Sequence, residues 1–313
     1  KTPLLGRPAI EGLQLLRVAD VNVVCGAATN MPTNTVVNDT ERAFRTEYAE
    51  MFSGLGKMHT EYDVKMTHDA RPYALSTPRR VPVALEEAVR AEIEKMEQEG
   101  VIRKVDEPTP WCAGMVVVPK EGGQVRICVD LTHLNKGVQR ELFPMPSVDS
   151  TLSRLTGAKV FSKLDAKSGF WQIPLSQSSQ LLTTFITPHG RYCFTRLPFG
   201  ISSASEFFQK RFSEVIDGVE GAVNHIDDVL VWGRTQEEHD RRLRETLNRL
   251  KGANVTLNHK CEISRSQVKF LGHIIGEDGI KPDPDKVSAV LTMTAPTDVA
   301  SLRRFLGMAN QLN

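Results

Sequence analysis

Two adjacent aspartates, Asp227 and Asp228, lie between the apolar runs AVNHI (222–226) and VLVW (229–232). Strands on both sides would make them the turn of a hairpin. Two carboxylates confined to one turn repel each other unless a cation or a basic partner sits beside them, and hard divalent cations such as Mg²⁺ take oxygen ligands of this kind. The same dipeptide also serves as a plain polar turn, where Asp is common. A third carboxylate, Asp165, ends the apolar run KVFSKLD (159–165) and precedes Gly169-Phe170-Trp171. Brought beside the pair, it would complete a two-metal site, which stabilises the attacking and leaving oxygens in phosphoryl transfer. Taken alone, Asp165 reads equally as a helix cap ahead of core aromatics.

The elements that must position these acids are dense from about residue 80 onward. Pro82 suits a first helical position, and Leu85, Val89, Ile93 and Met96 recur at helical spacing before Gly100. AGMVVV (113–118) and QVRICVD (124–130) flank Glu121-Gly122-Gly123 and predict a hairpin; LTTFIT (182–187) and RYCFTRL (191–197) predict a second around Pro188-His189-Gly190. Ser147 can cap a short helix holding Val148, Leu152 and Leu155. A helix over about 204–216 would bury Phe208, Phe212 and Val215. Thr235 and Glu238 form a capping box for a helix carrying Leu243, Leu247 and Leu250, closed by Gly252. QVKFLGHII (267–275) reads as a strand-pair candidate with Glu277-Asp278-Gly279 as the turn, and short helices are expected near 41–51, 285–292 and 298–309. Hairpins mixed with helices predict an α+β fold rather than a doubly wound parallel sheet.

In order along the chain stand Asp165, LPFG (197–200), the Ile226-Asp227-Asp228 hairpin and FLGHII (270–275). This succession resembles reverse transcriptases, and most of all those of Ty3/Gypsy-type long-terminal-repeat retrotransposons, over roughly residues 60–313. The resemblance implies a right-hand polymerase fold of fingers, palm and partial thumb with an antiparallel palm sheet. It implies that Asp165, Asp227 and Asp228 are the catalytic carboxylates holding two Mg²⁺ (or Mn²⁺) ions, with Asp228 the less central. Phe170 would lie under the incoming sugar and select deoxynucleotides. Lys120 and Arg126, flanking the Gly122-Gly123 turn, would clamp the triphosphate. Phe199 and Gly200 would line the nucleotide pocket, with Gln172 on the same turn as Phe170. Phe270, Leu271, Gly272 and His273 would form the primer grip. The implied partners are a primed RNA or DNA template, deoxynucleoside triphosphates and the ribonuclease H and integrase regions of a parent polyprotein. The implied location is intracellular and cytoplasmic, in virus-like particles if the element is active.

LLGRPAIEGLQLL (4–16) is similar to the closing segment of retropepsin-type proteases but has no Asp-Thr/Ser-Gly triplet. The expected organisation is a protease remnant over 1–20, a linker over 21–60 and a reverse transcriptase domain over 61–313, with fingers and palm to about 235 and the thumb start beyond. The chain begins with Lys1 and reads as an internal piece of something longer. It departs from the family pattern at His225 (usually Tyr), Leu131 and Thr132 (usually an aromatic and Arg), Lys167 and Ser205, and is one residue short between Asn258 and Lys260. A rival reading is therefore a retroelement fragment that binds nucleic acid or protein without catalysis.

Composition narrows the rest. Of 313 residues, 40% are hydrophobic and 25% charged, which excludes a wholly disordered or collagen-like chain. A net charge of +1 names no partner. Five widely spaced cysteines without a CxxC pair argue against a disulfide framework or a zinc site. The strongest apolar stretch, Val21–Ala28, is too short to span a bilayer.

Overall fold

A computed structural model of the chain describes residues 38–146 and 148–309. The protease-like segment, most of the expected linker and Ser147 lie outside the described residues. Among the described residues, the helices of eight or more residues are α1 (Asp39–Glu47), α2 (Glu86–Gln98), α3 (Ala204–Ile216), α4 (Gln236–Gly252), α5 (Pro284–Leu291) and α6 (Val299–Ala309). The strands are β1 (Ile102–Lys104), β2 (Ala113–Pro119), β3 (Val125–Val129), β4 (Val160–Asp165), β5 (Phe185–Thr187), β6 (Gly190–Phe194), β7 (Ala222–His225), β8 (Asp228–Gly233), β9 (Glu262–Arg265), β10 (Gln267–Phe270), β11 (His273–Gly276) and β12 (Gly279–Pro282).

They form three sheets, ordered β1-β6-β5-β2-β3, β7-β8-β4-β9 and β10-β11-β12. The first joins both expected hairpins through a parallel β2–β5 contact. The second is antiparallel throughout. The third is a meander, one strand larger than the expected pair. The architecture is the expected α+β one.

Three local readings are corrected. Pro82 precedes a short 3₁₀ turn, Val83–Leu85, and α2 starts only at Glu86. The β7–β8 turn is Ile226-Asp227, because Asp228 already pairs with His225 as the first residue of β8. In the capping box, Thr235 accepts from the Glu238 N–H, but the Glu238 carboxylate accepts from the Arg234 N–H, one residue before the cap.

The second sheet buries both faces, and strand alternation decides which residue goes where. Leu164, Val229 and Val231 pack with Phe208 and Phe212 of α3 and Leu243, Leu247 and Leu250 of α4. Phe161, Leu230 and Trp232 point the other way, against Val268, Phe270 and Ile275 of the meander. Asp165 shares the second face, at the end of β4.

Candidate active site

Asp165 and Asp228 are direct cross-strand partners, the last pair of the β4–β8 ladder. Asp227 joins them through the backbone: the Ala166 N–H donates to the Asp227 carbonyl at 2.9 Å. Asp227 is exposed, while Asp165 and Asp228 are half-buried. The turn that presents Asp227 is strained, since Ile226 has φ +53°, the left-handed region that β-branched residues avoid. Gln209, a wholly buried α3 side chain, holds it there. Its Oε1 accepts from the Ile226 N–H at 2.6 Å, and its Nε2 donates to the Asn224 carbonyl at 3.1 Å. On the other side, a Cβ on Gly169 would stand 3.0 Å from the Phe208 ring and 3.1 Å from the Asp227 Cβ. Glycine there lets the turn after β4 approach the aspartate hairpin.

Burial raises the pKa of Asp165 above the ordinary carboxylate value, and the charges of Asp228 and then Asp227 raise it further. Asp228 is likewise raised by burial, with Lys163 opposing. The Lys163 Nζ stands 3.3 Å from Asp228 Oδ2. Among the described residues, no group of three or more His, Cys, Asp or Glu side chains reaches metal-holding spacing. As donors the three carboxylates still fit a hard divalent ion: they are oxygen ligands whose mutual repulsion such an ion would relieve. Cys261 lies beside them, its Sγ accepting from the Asp165 N–H at 3.2 Å, and burial pushes its thiol up to about 12.

The expected nucleotide residues separate into two groups. Phe170 packs 5.0 Å from Phe199 and 5.3 Å from Phe208 between ring centroids. Arg126, reaching from β3, lies over the Phe199 ring at 5.1 Å. Gly200 follows with φ +95°. Its carbonyl accepts from Asn135 Nδ2 at 2.7 Å, and the Ser202 N–H donates to Asn135 Oδ1 at 2.9 Å. Arg126, Phe170, Phe199 and Gly200 thus form one wall beside the aspartates. Lys120 stands apart, exposed in the turn of the β2–β3 hairpin, where its N–H donates to the Gln124 carbonyl at 2.8 Å. Gln172 does not belong to that wall, although sequence groups it with Phe170. Its side chain is 1% exposed; Nε2 donates to the carbonyls of Lys167 and Thr256, and Oε1 accepts from the Thr256 N–H. With its amide consumed internally, Gln172 fastens the turn to the chain after α4.

The Phe270–His273 segment is a tight β10–β11 turn, with Leu271 at φ +51° and Gly272 at φ +80°. Phe270 is fully buried in the cluster containing Phe161 and Leu230. The His273 ring lies by the Leu271 carbonyl, Nδ1 to oxygen 3.2 Å. The turn therefore rests on the sheet face that carries Asp165.

Sequence reasoning missed Gln209 and Asn135. A polar residue beside Phe208, on a helix whose apolar stripe must be buried, was the available signal for the first; Asn135 gave none. It also missed a hydrogen-bonded Ser162–His239–Asp240 chain, with both links 2.8 Å. That order suits nucleophilic catalysis, but Ser162 and His239 are wholly buried and admit no substrate.

Residues 118–275 match the family model described as reverse transcriptase (RNA-dependent DNA polymerase). The chain is 33% identical over 319 residues to the retrovirus-related Pol polyprotein from transposon opus of Drosophila melanogaster, covering 99% of this chain and 30% of that protein. It is 32% identical over 260 residues to the transposon Tf2-3 polyprotein of Schizosaccharomyces pombe, covering 80% of this chain and 19% of the relative. The chain thus spans less than a third of these curated relatives. The foamy viral protease-reverse transcriptase solved with double-stranded DNA shares the fold with a TM-score of 0.78 at 21% identity, over 94% of this chain and 52% of that one. The same viral protein solved with an RNA/DNA hybrid gives a TM-score of 0.75 at 20% identity, over 94% and 40%.

Proposed function

Since the chain belongs to the reverse transcriptase family, in the company of Ty3/Gypsy-type retrotransposon polyproteins, we propose that it is an RNA- and DNA-templated DNA polymerase core. The observation that carries this reading is the Asp165–Asp228 pair with Asp227 tied beside it. In the reaction the primer 3′-hydroxyl attacks the α-phosphate of a deoxynucleoside triphosphate and pyrophosphate leaves. Asp165, Asp227 and Asp228 would hold two Mg²⁺ ions, with Mn²⁺ as a substitute. Bound there, the ions would activate the hydroxyl and neutralise charge on the phosphates.

The chain's own residues supply the positioning. Arg126 and Lys120 bind the triphosphate, Arg126 exchanging its place over Phe199 for phosphate oxygens. Phe170, held by Phe199 and Phe208, lies under the sugar and would meet a ribose 2′-hydroxyl. Phe199 and Gly200 line the base side, and the Phe270–His273 turn supports the primer end on the same sheet face as Asp165. The duplex would be held through its backbone, with marked salt dependence and little sequence preference. Fingers and palm would run to about residue 235 and the thumb would start beyond, with ribonuclease H and integrase regions as polyprotein partners. No helix among the described residues is long and apolar enough to cross a membrane, and we place the activity in the cytoplasm or in virus-like particles.

One observation favours a second reading, a fragment that binds nucleic acid without synthesis: Asp228 is engaged by Lys163 and the carboxylates do not stand at metal spacing. Primer extension on an RNA template with Mg²⁺ decides between them. The parent chain should extend, and Asp227→Asn should bind duplex without extending it. Equal extension by both would overturn the site assignment. Duplex binding without extension by either would establish the second reading, and His225→Tyr would then test whether that residue is the cause.

A further inference from the structure

Lys163 lies two positions before Asp165 on β4, so the two side chains share a face of the sheet. Across the ladder Lys163 opposes Leu230, which makes Asp228 its diagonal neighbour, within reach of a long side chain. On its other flank Lys163 opposes Glu262 of β9. The ammonium thus sits between carboxylates on both neighbouring strands. Its salt bridge goes to Asp228 Oδ2, at 3.3 Å, with the two side chains 25% and 27% exposed. This half-buried setting screens the charge less than bulk water would.

We propose that Lys163 is a resident counter-cation of the carboxylate site. It holds Asp228 and lowers the affinity of the site for divalent ions. The inference rests on the reading of these three acids as a divalent-ion site. It adds a residue that sets how readily the site loads.

The test needs no substrate. Mn²⁺ binding to the full chain is followed by loss of the free-ion electron paramagnetic resonance signal, for the parent and for Lys163→Met, Lys163→Gln and Lys163→Arg. Asp165→Asn is made in the parent and Lys163→Met backgrounds, and circular dichroism checks each fold. Removing one unit charge beside a divalent ion should tighten binding about tenfold in Lys163→Met and Lys163→Gln. Lys163→Arg should bind like the parent, and Asp165→Asn should abolish binding in both backgrounds. If Mn²⁺ binds and depends on Asp165 but the neutral Lys163 variants bind no more tightly, the counter-cation role is overturned while the ion site stands. If no variant binds Mn²⁺ in an Asp165-dependent way, the site reading fails and the inference falls with it. If one neutral variant does not fold, the other decides.

Discussion

Gln209 is the residue whose removal should expose how the aspartate hairpin is held. It touches neither nucleotide nor primer, yet its two amide atoms fix the Ile226 N–H and the Asn224 carbonyl. Gln209→Leu keeps the volume and removes both bonds, together with the Nε2 donation to Ser213 Oγ at 3.1 Å. Each buried polar group left without a partner costs about 1–3 kcal/mol, so the two together cost about 2–6 kcal/mol. Ile226 would then relax from φ +53°, returning about 1–3 kcal/mol of backbone strain. The net loss should be about 1–3 kcal/mol, a fall in Tm of roughly 2–12 °C for a domain of this size. Relaxation moves Asp227, and a displacement of about 1 Å at a reacting centre can cost about 100-fold in rate. Denaturant unfolding and steady-state primer extension measure the two effects separately. We expect kcat to fall about 100-fold with the deoxynucleotide KM little changed, and Gln209→Glu, which keeps the acceptor for Ile226, to lie between parent and Leu. A destabilised variant with undiminished kcat would refute the coupling of clamp to chemistry, and unchanged stability would refute the clamp itself.

Gly169→Ala should cost about 1–3 kcal/mol as an overpacked site and lower turnover, because the new methyl meets Phe208 and Asp227; thermal melts beside extension assays check both. Arg126→Ala should raise the deoxynucleotide KM about 10–100-fold, the loss of a charged hydrogen bond worth about 1.5–3 kcal/mol. Its stability should change by less than about 1 kcal/mol, the range of an exposed cation–π contact. His239 supplies a pH prediction. Burial holds its pKa below the ordinary 6.5, although Asp240 pulls upward. Between the folded and unfolded values the unfolded chain binds more protons, so this contribution is complete above about pH 6.5 and is lost on acidification through the folded value. Melting temperature should fall from pH 7.5 to pH 5.5, and His239→Asn should fall less; an equal fall would remove His239 as the cause.

Much of the fold was legible because its signals are local. The α3 helix follows from apolar spacing, the β2–β3 hairpin from its glycines, and α4 from Thr235. The limits of α2 were not legible from Pro82, since a proline restricts its own φ and says little of where α-helical bonding starts. The Asp227-Asp228 turn was placed one residue late. Sequence favoured the two polar residues as the turn, whereas Gln209, distant in sequence, forces Ile226 into it. Gln172 was misjudged for a related reason: its neighbours Phe170 and Trp171 are visible in sequence, but its partner Thr256 lies 84 residues away. Cross-strand and helix-to-turn hydrogen bonds carry no periodicity, so they become visible only with the fold.

The alternation of β4 bears on which genetic lesions this chain can survive. In the loop at Asn258 the chain closes with the Lys260 N–H on Asn258 Oδ1 and the Cys261 N–H on the Asn258 carbonyl, both 3.2 Å. A codon lost from such a loop would shorten a turn. The same loss between Val160 and Asp165 would exchange the two faces of the strand, sending Lys163 toward the helices and Leu164 toward the meander. Substitutions along β4 are graded insults, but an in-frame deletion there removes core and chemistry in one event. An ageing copy of such a gene should therefore keep the length of this strand for as long as it keeps any function at all.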